Sequence, residues 1–211
     1  MTAAIICNGD FPKKPYPRYM IEQCDVVICC DGGLRAWLRA YPDRLPDKIV
    51  GDMDSLSGAL RKRFADRVVH YDEQDYNDQT KAVRYIMENL PDVDRIHIFA
   101  ATGKREDHTI GNISLLMEYT RMFPGRAEID MISDHSTMFA VTDTVTLAVG
   151  EGRTVSILSP DNSLKITSSG LEWQTSGVVF DNWWKATLNR ATSDMVTLTF
   201  NHPSLALVIL P

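Results

Sequence analysis

Carboxylates, cations and glycines gather at four places, each directly after a short apolar run. They are Asp31-Gly32-Gly33, Gly51-Asp52-Met53-Asp54-Ser55, the acidic stretch from Asp72 to Asp78, and Thr102-Gly103-Lys104-Arg105-Glu106-Asp107-His108. In Asp52-x-Asp54 the spacing of two puts both carboxylates on one side of an extended backbone, with Met53 turned away. Such hard oxygen ligands suit Mg²⁺, which takes one or two carboxylates plus waters and substrate phosphates. A solvated acidic turn would read the same way.

Asp78 and Lys81, three residues apart where a helical pattern begins, share a face. Asp78 can serve the metal and Lys81 phosphate oxygens, or the two can be a helix-start acid and its exposed partner. The glycine loop at Gly103 opens another helical stretch, whose unpaired N–H groups accept an anion. Arg105 can fork onto phosphate oxygens, and Lys104 adds a mobile charge. His108 and Asn112, four apart, fall on one helical face; the plainer alternative is that Asp107 caps the helix and His108 packs. No Walker A pattern exists, because Gly103-Lys104 is followed by Arg105 and lacks the upstream glycine, so any nucleotide is handled without a P-loop.

The elements that must position these residues change character along the chain. Strands are predicted at Ala3–Cys7, Val26–Cys30, Lys48–Val50, Val68–Tyr71, Arg95–Ala100 and Glu128–Ile132, and helices at Leu34–Tyr41, Ala59–Ala65, Asp78–Leu90 and Thr109–Met122. That alternation implies a Rossmann-like, three-layer α/β domain with a mostly parallel sheet, residues 1–133, whose strand ends bring the polar segments to one edge. Residues 134–211 are short β-branched runs separated by Gly, Asp, Asn and Pro, which predicts an all-β sandwich. Within it, Trp173, Trp183 and Trp184 offer aromatic faces for a flat cationic heterocycle. Aromatic residues more often anchor a core or an interface, and at least one of Trp183 and Trp184 is expected to do so.

Composition narrows the partners. The 211 residues are 44% hydrophobic, which excludes a disordered or collagen-like chain. A net charge of −6 without a basic stripe argues against nucleic-acid binding. The longest apolar run, Leu205–Leu210, is far short of the roughly 20 residues of a membrane span, and the N-terminus reads as a first strand rather than a signal peptide. Cys7, Cys24, Cys29 and Cys30 form no C-x-x-C pair and are expected to be buried free thiols in a reducing cytoplasm.

Taken together, Asp31-Gly32-Gly33, Gly51-Asp52-Met53-Asp54-Ser55, Asp78-x-x-Lys81-Ala82, Gly103-x-Arg105-x-Asp107-His108 with Asn112, and Gly170-Leu171-Glu172-Trp173 resemble the thiamine pyrophosphokinase family, in the family's order and across almost the whole chain. The resemblance implies transfer of the β,γ-pyrophosphoryl unit of ATP to the hydroxyl of thiamine, giving thiamine diphosphate and AMP. It also implies a homodimer whose active sites join the catalytic domain of one subunit to the β domain of the other. Asp52, Asp54 and Asp78 would serve Mg²⁺, while Lys81, Arg105 and Asp107 position the triphosphate and the attacking hydroxyl. Asp31, Gly32, Gly33, Ser55, Gly103, Lys104, His108, Asn112, Trp173, Ser193 and Asp194 complete the expected substrate contacts. The chain departs from the family pattern at Asn77 (usually Thr), Lys104 (commonly Gly) and Ser193-Asp194 (often Ser-Asn). Two rival readings are a Mg²⁺-dependent phosphohydrolase of the aspartyl-nucleophile type and a non-catalytic thiamine- or nucleotide-binding module. In the first, the D-x-D would follow the first strand rather than the third, and the second gives the carboxylates no purpose.

Overall fold

The computed structural model describes all 211 residues. They divide into two units, Met1–Leu115 with Met122–Asp134, and Leu116–Arg121 with His135–Pro211.

In the first unit six strands, β1 (Thr2–Ile6), β2 (Val26–Cys30), β3 (Lys48–Gly51), β4 (Val68–His70), β5 (Arg95–Phe99) and β6 (Glu128–Ile132), pair in parallel in the order β6-β5-β1-β2-β3-β4. The connecting helices are α1 (Pro15–Glu22), α2 (Gly33–Ala40), α3 (Gly58–Arg63), α4 (Asp78–Asn89) and α5 (Glu106–Met122). Strand alternation sends Ala4, Ile6, Val27, Cys29 and Ile49 into a core with Ile21 of α1 and Leu34 and Trp37 of α2. The intervening residues face the other way, where α4 lies over β1, β2 and β3 and buries Ala82, Val83 and Ile86. Helices therefore cover both faces of these six parallel strands. α1 is absent from the helices predicted from sequence; Pro15 is its first residue, where a missing N–H costs nothing.

In the second unit β7 (Thr137–Val141), β8 (Val145–Ala148), β9 (Thr154–Leu158), β10 (Ile166–Ser169), β11 (Asn189–Arg190), β12 (Met195–Phe200) and β13 (Ala206–Leu210) form two antiparallel sheets, ordered β11-β9-β13-β7 and β10-β12-β8. Val155 and Ile157 of β9 and Val208 and Leu210 of β13 share one core with Ile166 of β10 and Val196 and Leu198 of β12, as a sandwich requires. β11, two residues long, is too short to carry an alternating pattern.

One carboxylate pins the loop after β9. Asp161 accepts from the Ser163 backbone N (2.8 Å) and Oγ (2.6 Å) and from Ser204 Oγ (2.7 Å), and it meets His202 Nε2 at 3.0 Å. These partners, Ser163 foremost, hold its carboxyl well below the usual range. A depressed carboxyl stabilises the fold above its unfolded value near pH 4, and that contribution is lost as pH falls further. Asp161→Ala strands these donors and is expected to cost about 1–3 kcal/mol in chemical denaturation. The difference from wild type should shrink below about pH 4.

Candidate functional site

Reading outward from β1, the chain passes successively through β2, β3 and β4, then returns to the other side of β1 as β5. The crevice at such a reversal, outside the carboxyl ends of the strands, is where open α/β sheets place ligands. A cavity of about 610 Å³ lies there, lined among others by Asn8, Asp52, Asp78, Lys81, Lys104 and Arg105.

Three carboxylates converge at this edge. Asp31 follows β2, Asp52 follows β3 and Asp78 begins α4, and one oxygen from each lies within 4.8 Å of the others. Asp31 is buried; its Oδ2 accepts from the Ser55 backbone N at 2.8 Å, while its Oδ1 is buried without a hydrogen-bond partner. Burial, followed by the charge of Asp52, pushes the Asp78 carboxyl up to about 6. Lys81 Nζ, 3.6 Å from Asp78 Oδ1, opposes that rise without cancelling it. Lys81 is itself only 2% exposed, so it is a fixed buried cation rather than an exposed partner.

The D-x-D geometry differs from the expectation. Met53 has φ 68°, outside extended backbone, and its side chain is buried. The turn folds back so that the Asp54 N–H donates to Asp52 Oδ1 at 3.2 Å, and the Asp54 side chain is exposed, outside the cluster of three. Asp31, which the family resemblance places among substrate contacts, joins Asp52 and Asp78 instead. Gly32 and Gly33 start α2 directly behind Asp31. Gly51 has φ +153°, and a Cβ there would lie 2.9 Å from Asp78 Oδ1 and 3.1 Å from Asp31 Cβ.

The Asp78 end of α4 is held by amides. Asn77 Oδ1 caps the helix by accepting from the Thr80 N–H at 3.0 Å, and Asn77 Nδ2 donates to Asn112 Oδ1 at 2.7 Å. Asn112 Nδ2 in turn donates to the carbonyl O of Ala101 at 2.7 Å. Asn112 is thus a buried brace between α4, α5 and the end of β5. The departure at Asn77 supplies both a cap and a link that threonine, lacking an amide, could not make in this way.

Along the opposite wall, Gly103 has φ +96° and packs against the Asp10 carboxylate. Lys104 Nζ donates to Asn8 Oδ1 at 3.2 Å, and His108 and Thr109 also line the cavity. Asn8 and Gly9 escaped the sequence reading, although the strand-end rule applied to β1 would have found them. Arg105 Nε donates to Asp107 Oδ1 at 3.0 Å, and this pairing draws the exposed Asp107 carboxyl down to about 2.

The remaining predicted residues belong to the β unit. Trp173 is exposed, its backbone fixed by Asn189, which accepts from Trp173 N at 3.1 Å and donates to Trp173 O at 2.7 Å. Trp183 and Trp184 are both exposed, Trp184 by 68%, so neither is buried in the core of this unit; both sit in a loop without regular structure. Ser193 Oγ donates to Met195 O, and Asp194 Oδ1 accepts from the Glu151 N–H at 3.1 Å. All four cysteines are free and buried, and no helix is long and apolar enough to cross a membrane.

Comparison with known proteins gives this arrangement a family. Residues 17–124 match the catalytic domain of thiamin pyrophosphokinase, and residues 137–206 its substrate-binding domain. Thiamine pyrophosphokinase 1 of Oryza sativa subsp. japonica is 24% identical over 198 residues, covering 81% of this chain and 72% of that protein. Thiamine pyrophosphokinase of Bacillus subtilis is 37% identical over 76 residues, 34% of this chain and 35% of that one. Among solved structures, thiamin pyrophosphokinase from Candida albicans superposes with a TM-score of 0.82 at 18% identity, covering 99% of this chain and 89% of its own. The Bacillus subtilis structure gives 0.79 at 21% identity, over 100% and 98%. With over half its length matched by the catalytic-domain model and the β unit by the companion model, the chain belongs to the thiamin pyrophosphokinase family.

Proposed function

We propose that this chain transfers the β,γ-pyrophosphoryl unit of ATP to the hydroxyethyl oxygen of thiamine, releasing AMP and thiamine diphosphate. The observation that carries the reading is the convergence of Asp31, Asp52 and Asp78 at the strand-end crevice. Three carboxylates this close, one with an unpartnered buried oxygen and one raised to about 6, fit a hard divalent cation. Asp31, Asp52 and Asp78 would hold Mg²⁺, with Asp54 at the rim of the same loop as a further ligand. Bound there, Mg²⁺ would neutralise charge on the phosphate oxygens.

The chain's own residues do the rest by positioning, because phosphoryl-type transfer asks for little covalent chemistry from protein. Lys81 sets a fixed positive charge beside the carboxylates, and Lys104 and Arg105 extend it along the wall where a triphosphate would lie. Asp107, held near 2 by Arg105, is a weaker proton acceptor than Asp78. His108 lines the cavity between these groups.

Thiamine binding is assigned to the β unit, with Trp173 packing on the vitamin and Ser193 and Asp194 nearby in sequence to β12. The exposed Trp173, Trp183, Trp184 and Leu188 support a homodimer, and four free thiols support a cytoplasmic setting. Incubation with Mg-ATP, with and without thiamine, followed by resolution of the nucleotides, tests the reaction. Thiamine-dependent AMP supports it. ADP, phosphate released from simple monoesters, or tight thiamine binding without any product would each overturn it, in favour of an ordinary kinase, a phosphohydrolase or a binding module respectively.

A further inference from the structure

Cys7 lies one residue beyond β1, and Cys30 ends β2. Ile6 pairs with Cys29 in the parallel register, and the next step along both strands brings the two Sγ atoms to 4.0 Å. Cys7 and Cys30 both line the cavity, whereas Cys29 points to the opposite face of the sheet, into the core with Trp37. Each of the two also touches the start of α4. Cys7 Sγ lies 3.7 Å from Gln79 Oε1, and Cys30 Sγ lies 3.4 Å from the carbonyl O of Asp78. The transfer reaction gives neither thiol a task.

We propose that Cys7 and Cys30 form a dithiol site for a thiophilic centre that binds two sulfurs at once, of the class of trivalent arsenicals, and that filling it disables the neighbouring carboxylate centre. Separation decides between this occupant and a disulfide. Two sulfurs held at about 2.3 Å by one pyramidal trivalent atom, with an angle of about 100° between them, lie roughly 3.5 Å apart, a small side-chain adjustment from the 4.0 Å already present. A disulfide needs about 2.05 Å, so adjacent strands of a packed sheet would have to be drawn together.

The chemistry balances without an oxidant. A trivalent organoarsenic oxide exchanges its oxygen for two thiol sulfurs; both S–H bonds break, two As–S bonds form, and the oxygen leaves with both protons as water. Bridging would occupy the cavity floor and pull on Cys30, whose Sγ contacts the peptide of Asp78, so the carboxylate above it is displaced. This last consequence rests on the role proposed for Asp78; the binding itself does not.

Phenylarsine oxide provides the probe, with intact-protein mass and turnover as separate readouts. The wild-type protein is expected to gain one phenylarsenic and lose two hydrogens, and its turnover to fall roughly a hundredfold, as misplacement of a reacting group by about an ångström does. A small dithiol should reverse both changes. Cys7→Ser and Cys30→Ser should each abolish the adduct, while Cys24→Ser and Cys29→Ser keep it; thermal melting establishes that each variant is folded, and Cys7→Ala replaces Cys7→Ser if the latter is not. No adduct on the wild type, or an adduct that survives Cys7→Ser, overturns the site. An adduct with turnover intact overturns the coupling to Asp78. Should the protein form no AMP at all, the mass measurement still decides whether the dithiol site exists.

Discussion

Asp78→Asn is expected to yield a folded protein whose turnover is roughly a thousandfold below wild type, because it removes a carboxylate from the centre proposed to hold the cation and its triphosphate. The same change should stabilise the metal-free protein above pH 6. Burial and the charge of Asp52 raise the Asp78 carboxyl from its ordinary value to about 6, despite Lys81 beside it. A carboxyl raised in the fold binds its proton more tightly there than in the unfolded chain. Its contribution is therefore fully present below about pH 4 and is lost as pH rises to about 6. Asparagine cannot ionise and escapes that loss, so at pH 8 the variant should be more stable by about 2 kcal/mol in urea unfolding, after allowance for partial exposure. Reduced turnover together with increased stability is the signature of a group strained for function. An unstable inactive variant would instead make Asp78 a structural partner of Lys81.

Gly51→Ala should be nearly as damaging to catalysis without touching any charged group. The added methyl would sit 2.9 Å from Asp78 Oδ1 and 3.1 Å from Asp31 Cβ, at a φ of +153° that L side chains rarely adopt. Either the backbone or the two carboxylates must move. The expected result is a turnover roughly a hundredfold lower and a stability cost of about 1–3 kcal/mol. Gly58→Ala is the matched control, since nothing lies within 4 Å of its added methyl at the start of α3. Equal activity in both variants would mean that Gly51 does not shape the carboxylate centre.

The parts of this centre that were legible in sequence share a physical cause. Strands with simple apolar runs announce where polar segments converge, so sequence alone places Asp52, Asp78, Lys81 and Lys104 at one edge. What failed was local backbone geometry. Spacing of two implies a shared side only if the intervening residue is extended, and Met53 at φ 68° is not. Asp54 therefore lies outside the cluster, and Asp31, expected at the same edge but as a substrate contact, completes it. Asn112 was legible as a residue facing the site, but its bonds to Asn77 and Ala101 depend on how α5 meets α4 and β5. In the β unit the exposure of Trp183 and Trp184 ran against composition, since large aromatic residues usually report burial.

We infer that Asp31, Asp52 and Asp78 together collect the divalent cation. Electron paramagnetic resonance of Mn²⁺ with an unreactive ATP analogue measures that occupancy directly. The account predicts one site on the wild-type protein, weakening as pH falls through about 6 because the proton on Asp78 competes, and weakened at least about tenfold by either Asp52→Asn or Asp78→Asn. Mn²⁺ affinity unchanged in both variants would place the cation elsewhere and contradict the account.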